Sequence, residues 1–449
     1  MAVPIWLERY KMPDPHHLDI AALHAAYASG QTNPIAVTAY YLARIDAHNP
    51  ALNAYVAIDR DGALAAAEES AARIANGTAR TLEGVPVAVK TNIAVKGLEW
   101  NAGMEMRRGV VADKDAAAVK RLRDAGAIIL GTLNMHEAAL GATTDNPWFG
   151  ATINPHREGH TPGGSSGGSG AAVAAGLCVA ALGTDTLGSV RLPSAYNGVY
   201  GIKPTHGAID DEGLVPLSNW LDSIGPIARS LDDLEALDAV LCDGVDQGVT
   251  LDRLVLLDSF GDVECEPAVE QAFAKAKALL AAMPTGTLAL PDNAAAVRFA
   301  GFVVAARELI GHLGNARLFA AEKLSQELRF MLDYAEGRSD EDVERAEAIL
   351  ARTREAVLEA IGTDGVLLMP TTPQAAFPHS NRPPVTQSAF TAFANIAGLP
   401  AISVPAGVDE KGLPVAVQLV GPAHSEAALI ALARTLDAGL NGFTPSPYL

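Results

Sequence analysis

The segment Gly163-Gly-Ser-Ser-Gly-Gly-Ser-Gly170 runs without a break into Ala171-Ala-Val-Ala-Ala175. Glycine-serine sequence is ordinarily flexible linker. Set directly against a helix-forming run, it reads instead as a tight functional turn that opens a helix. A second turn, Gly183-Thr-Asp-Thr-Leu-Gly-Ser189, follows the apolar run Leu177-Cys-Val-Ala-Ala-Leu182. Glycines at such turns let backbone N–H groups come close to a ligand or a developing charge.

Helical and strand patterns alternate around these turns. Asn33 and Pro34 form a cap and first-turn signal, and Ile35 to Ile45 carries apolar residues at helical spacing. Residues 61–76 read as a second helix, which Gly77 can end. Gly84-Val-Pro-Val-Ala-Val-Lys90 reads as a buried strand ending at a lysine. A helix over 115–126 precedes the strand Ala127-Ile-Ile-Leu130. Residues 230–360 are largely helical by pattern, as in 341–359, and short strands return at 365–369, 401–404 and 415–419. The alternation predicts an α/β sheet with both faces covered, built from distant segments. No linker or repeat interrupts it. The expectation is one domain over 1–449, with a helical N-terminal region (about 1–80) and a variable, mostly helical region (about 245–360) lining the substrate site.

Composition excludes several classes. The formal charge of −19 opposes direct nucleic-acid binding, which draws on Lys and Arg neutralising phosphates, and it disfavours anionic membrane surfaces. No apolar window is long enough to span a bilayer, and the N-terminus lacks a signal-peptide layout. The three cysteines, Cys178, Cys242 and Cys265, form no CxxC pair, which points to a reducing compartment and away from zinc or a disulfide framework. A cytoplasmic enzyme without metal or cofactor is expected. His136-Glu137 does not continue to HExxH, and the histidines lack metal-ligand spacing.

Gly163–Gly170 lacks the lysine of a phosphate-binding P-loop and fails the dinucleotide fingerprint. Gly163-Gly-Ser165-Ser-Gly167 fits the nucleophile-elbow pattern GxSxG, but that pattern is short, and its required histidine partner, for which His379 is a candidate, has no recognisable context. A third combination joins Lys90, Ser165 and Ser189. A serine hydroxyl needs a base to become a nucleophile, and a lysine serves if burial lowers its pKa. Asp185 and Arg191 flank Ser189 and read as a buried pair that holds the turn. Trp148 and Trp220 read as core packing; in the pocket they would favour a flat aryl substrate.

The set Gly-Val-Pro-Val-Ala-Val-Lys90-Thr-Asn, Pro162-Gly-Gly-Ser-Ser-Gly-Gly-Ser-Gly170 and Gly183-Thr-Asp-Thr-Leu-Gly-Ser-Val-Arg-Leu-Pro-Ser194 resembles the amidase-signature family, with Ser165 and Ser189 spaced 24 residues apart as in that family. The resemblance extends over Gly131–Glu137, Gly198–Thr205, Ser223–Ser230 and Ala397–Pro405, and is weakest in 245–360. It implies an α/β/α sandwich around one large mixed twisted sheet. It also implies Ser189 as nucleophile, Ser165 on a cis peptide as proton relay, and Lys90 as general base. The backbone N–H groups of Thr186, Leu187, Gly188 and Ser189 would form the oxyanion hole, with Ser166 hydrogen-bonded to the lysine. Leu187 departs from the family, which mostly has glycine there. A leucine resists positive φ, so the turn either dispenses with that angle or builds a different hole, and the side chain would narrow the acyl pocket.

Three readings follow. The first is a free-standing amidase for a small carboxamide, anilide or urea-like amide, acting through a seryl acyl-enzyme, with a small-molecule substrate, no direct nucleic-acid or membrane partner, and a homodimer as the default assembly. The alternative is the A subunit of a glutamyl-tRNA amidotransferase, the member of the family that makes ammonia from glutamine within a complex. Leu187 and the sparse 245–360 region favour the first. The third, a non-catalytic scaffold, is opposed by the intact Lys90, Ser165 and Ser189. Specificity is expected from loops near 136–150 and 206–225 and from 290–340.

Overall fold

The computed structural model describes residues 14–242 and 248–449; what the sequence predicts for 1–13 and 243–247 lies outside them. Its strands in chain order are β1 (Tyr55–Ile58), β2 (Pro86–Lys90), β3 (Ile128–Leu133), β4 (Asp145–Asn146), β5 (Gly150–Ala151), β6 (Ala180–Asp185), β7 (Tyr200–Lys203), β8 (Ser223–Ala228), β9 (Arg253–Leu257), β10 (Thr285–Leu288), β11 (Gly365–Pro370), β12 (Ala401–Val408) and β13 (Pro414–Val420). β4 and β5 form a small separate hairpin, and the other eleven form one sheet in the order β1-β3-β2-β6-β8-β7-β12-β13-β11-β9-β10. The sheet is mixed: β3, β2 and β6 run parallel, as do β11, β9 and β10, while β6-β8-β7-β12-β13-β11 pair antiparallel. Helices cover it. β2, β3, β6, β8 and β11 are buried along their whole length, as their continuous apolar runs require.

Local signals act as expected at several ends. Asn33 caps the helix Pro34–Leu52 by accepting from Ala36 N, and Pro34 sits in its first turn. Residues Arg60–Ala75 are helical, and Gly77 turns the chain at φ 70°. One expectation needs correction. The N-terminal region is not wholly helical, since β1 lies within it and closes one sheet edge against β3. The 245–360 region is mostly helical, and its two short strands, β9 and β10, form the opposite edge. Its helices Ala294–Leu313, Gln326–Glu336 and Asp340–Ile361 pack into a second apolar core, separate from the core under β2, β3 and β6. No helix among the described residues is long and apolar enough to cross a membrane.

Candidate active site

β2 and β6 run parallel in the register Val89↔Leu182, so Lys90 ends its strand beside the turn that leaves β6. The first glycine turn opens the buried helix Gly167–Ala174 against the same strand ends. A Cβ at Gly168 would lie 2.3 Å from Asn134 O, so glycine there is what lets the helix sit down. The Gly164–Ser165 peptide is cis, as the resemblance implies. Lys90 Nζ donates to Ser165 Oγ at 2.7 Å and to Thr184 Oγ1 at 2.7 Å, and all three side chains are buried. Burial lowers the Lys90 pKa from 10.5 to about 7, while the carboxylates of Asp222 and Asp185 pull the other way. Part of the lysine is therefore neutral near pH 7 and able to take a proton.

Ser166 is not on the lysine, contrary to expectation. Its Oγ donates to Thr184 O (3.1 Å) and accepts from Thr184 N (3.2 Å). Thr184 is the residue that carries the lysine's second contact. Asn92 Nδ2 also donates to Thr184 Oγ1 at 3.1 Å. Sequence reasoning singles out neither Thr184 nor Asn92, although both lie within the segments that carry the family resemblance.

The second turn is held from behind. Arg191 donates through Nε to Asp185 Oδ2 and through one terminal nitrogen to Oδ1, both at 3.0 Å, and neither side chain has any exposure. Gln418 and Asn395 accept the remaining Arg191 contacts, and Asn395 Nδ2 donates to Asp185 at 2.9 Å. Burial alone would raise the Asp185 pKa; the Arg191 guanidinium and these hydrogen bonds outweigh it and hold the carboxyl at about 2. The pair holds the turn, as its flanking positions predict.

Asp185 Oδ1 also accepts from Gly188 N at 2.7 Å. This corrects the expected oxyanion hole: the Gly188 N–H is already occupied. The N–H groups of Thr186, Leu187 and Ser189 have no acceptor among the described residues. The positive φ of this turn falls on Gly188, at 129°, and not on Leu187, so the leucine is compatible with the backbone. A Cβ at Gly188 would come within 2.2 Å of Thr391 Oγ1, which donates to Leu187 O at 2.6 Å. Thr186 Oγ1 donates to Asp222 Oδ1 at 2.6 Å, and Asp222 Oδ2 accepts from Leu217 N and Ser218 N. Burial raises the Asp222 pKa to about 6 against these hydrogen bonds and the Lys90 charge.

Ser189 is 8% exposed and lines a cavity of about 260 Å³, where its hydroxyl has no hydrogen-bond partner among the described residues. Ser165 is 0% exposed and does not line it. That placement opposes the nucleophile-elbow reading, which needs Ser165 open to substrate. His379 Nε2 donates to Thr152 O and does not line the cavity. The walls come from 136–143, from Thr186, Leu187 and Leu192, from the helices Ala294–Leu313 and Gln326–Glu336, and from 383–388. The last segment carries no signal in the sequence, where it is only a proline-rich loop, and 206–225 supplies Leu217 alone. His136 faces the cavity, kept neutral by burial and by Lys90, with its pKa lowered to about 4. Glu137 accepts from Trp148 Nε1 at 2.8 Å, and Trp220 packs on the second core. Neither tryptophan lines the cavity, so neither favours a flat aryl substrate.

Comparison with known proteins gives a consistent result. The Amidase family model matches residues 36–430. The glutamyl-tRNA(Gln) amidotransferase A subunit of Synechococcus sp. (strain CC9605) is 32% identical, covering 97% of this chain and 99% of its own length. The protein of the same description from Deinococcus radiodurans is 36% identical over 93% of this chain and 96% of its own. A solved amidase structure superposes with a TM-score of 0.86 at 30% identity, covering 94% of this chain and all of the other. The two relatives overturn the first functional reading, a free-standing amidase for a small amide without macromolecular partners. The likeness to these relatives runs through nearly the whole chain, so the weak 245–360 region does not set it apart. Leu187 does not either, because the turn tolerates it. Charge is a poor guide to partners for a physical reason: −19 opposes direct phosphate contact by this chain and says nothing of what bound partner chains contact.

Proposed function

Since this chain belongs to the Amidase family of amide-cleaving enzymes, we propose that it is the ammonia-producing component of a glutamyl-tRNA(Gln) amidotransferase and hydrolyses the side-chain amide of glutamine. The amide cleavage is supported by the contact from Lys90 Nζ to Ser165 Oγ, buried behind a Ser189 that opens into the cavity, and the choice of glutamine by the likeness of nearly the whole chain to glutamyl-tRNA(Gln) amidotransferase A subunits. Ser189 Oγ attacks the amide carbon and passes its proton to Ser165, whose own proton goes to neutral Lys90. The oxyanion is received by the free N–H groups of Thr186, Leu187 and Ser189. The lysine's proton returns through Ser165 to the amide nitrogen, and ammonia leaves. Water then hydrolyses the acyl-enzyme by the same relay, releasing glutamate. Ser166 and Thr184 position the lysine, and Asp185 with Arg191 positions the turn.

Two features support one domain working as a unit: strands from residue 55 to residue 420 share one sheet, and site residues come from both of its halves. Free Cys178, Cys242 and Cys265 go with a cytoplasmic setting. The test is ammonia release from glutamine by the purified chain, alone and co-purified with its partner chains, together with peptide mapping after a fluorophosphonate on wild type and Ser189→Ala. Glutamine turnover that rises with the partners, and an adduct on Ser189 absent from the variant, are expected. An adduct on Ser165 would replace the relay scheme, and glutamine left intact in both preparations would remove the glutaminase reading.

A further inference from the structure

The cavity in front of Ser189 is mostly apolar, walled by Leu140, Leu187, Leu192, Phe302 and Met331 among others. Two ionisable side chains of opposite sign also line it: Arg298 from the helix Ala294–Leu313 and Glu327 from the helix Gln326–Glu336. No ion pair joins them, and neither has a hydrogen-bond or salt-bridge partner among the described residues. Arg298 Nε is buried and unsatisfied, a costly state for a guanidinium nitrogen without a ligand. Burial lowers the Arg298 pKa, and burial together with Asp145 and Glu137 raises that of Glu327. Arg298 therefore holds a buried nitrogen without a partner in the cavity wall, while Glu327, an exposed residue, reaches the same cavity with no cation paired to it among the described residues.

We infer that Arg298 and Glu327 recognise the two charges of an α-amino acid head group, Arg298 taking the carboxylate and Glu327 the ammonium, while the side-chain amide reaches Ser189. This rests on the proposed hydrolysis of an amide in this cavity and names which amide it is shaped for. A planar, bidentate donor suits a carboxylate better than an ammonium group would. A neutral amide leaves the buried Arg298 nitrogen unpaired, which is how a polar pocket rejects the wrong substrate.

The test is calorimetric binding to the Ser189→Ala chain, which binds without turnover and needs no activation by partners. Three probes are compared: glutamine, glutaramate (carboxylate, no ammonium) and butyramide (neither). The expected order is glutamine, then glutaramate, then butyramide. Adding Arg298→Met should weaken glutamine and glutaramate by roughly 30- to 100-fold. Arg298→Lys should recover part of that, which also shows that the site still folds. Glu327→Gln should weaken glutamine and not glutaramate. Equal or absent binding of all three probes, or glutamine binding indifferent to Arg298→Met, would overturn the inference even if wild type releases ammonia from glutamine. Arg298-dependent binding of glutaramate without binding of glutamine would keep the carboxylate subsite, remove the role of Glu327, and count against the glutaminase reading, which ammonia release from wild type tests separately.

Discussion

Leu187 and Gly301 are fitted to each other: a Cβ at Gly301 would lie 3.0 Å from Leu187 Cδ2 and 3.3 Å from its Cδ1. The leucine thus occupies space that a side chain on the helix Ala294–Leu313 would otherwise take. It lines the cavity beside Ser189, so its position bears on both acyl-pocket width and the oxyanion turn. Gly301→Ala should push Leu187 toward the substrate and lower kcat/KM, although alanine suits a helix interior better than glycine by about 0.5–1 kcal/mol. Leu187→Ala in the same chain should restore activity. A double-mutant cycle should show coupling of about 0.5–3 kcal/mol; additive effects would mean that the contact does not govern the turn.

Arg191 is the side chain whose loss should unfold the site. Its removal leaves the Asp185 carboxylate buried without its cation, and Gln418 and Asn395 without their donor. Arg191→Met should cost about 3–5 kcal/mol, read by urea unfolding. Arg191→Lys should also be damaging, because an ammonium cannot reproduce the two parallel contacts to Asp185. A variant with wild-type stability would show that the turn does not depend on the pair.

What is legible in the sequence depends on whether the signal is local. Lys90, Ser165 and Ser189 are legible because each sits in a turn or strand end with a strong local pattern. The helix beginning at Pro34 is legible from its cap. β9 and β10 are not. They are short, at a sheet edge, and set among helices, so Arg253–Leu257 and Thr285–Leu288 carry no period longer than their neighbours. The roles of Ser166 and Thr184 are easily exchanged because nearby hydroxyls look alike in sequence, and which one meets the lysine depends on a strand register. The same holds for Gly188: its N–H is taken by a carboxylate three residues earlier, a tertiary detail of the turn. Arg298, Glu327 and residues 383–388 reach the cavity from distant segments, and nothing local marks them.

Asp222 ties the turn to the loop before it. Asp222→Ala leaves Thr186 Oγ1 and the N–H groups of Leu217 and Ser218 without their acceptor, each at a cost of about 1–3 kcal/mol where water cannot replace it. A drop in the urea midpoint together with lost activity is expected. Asp222→Asn should retain more of the stability, since an amide oxygen can still accept. Equal loss in both variants would point to the charge, not the hydrogen bonds, as what matters.

Lys90 sets the pH response. Its folded pKa, lowered by burial to about 7, lies below the ordinary 10.5. As base it must be neutral, so kcat/KM should rise with pH and level off above about 7, and Lys90→Ala should lose roughly 100- to 10,000-fold. The stability sign follows from the same shift. Between about 7 and 10.5 the unfolded chain holds the lysine proton and the folded chain does not, so this group makes stability rise with pH across that window. Lys90→Met should flatten that rise, keep the fold and abolish turnover. Asp222 is one of the charges that raise the Lys90 pKa, so Asp222→Asn should move the acidic limb of the activity profile to lower pH. An acidic limb that stays in place in Asp222→Asn would mean that the limb belongs to another group, and near-normal turnover in Lys90→Ala would remove the lysine from the proton relay altogether.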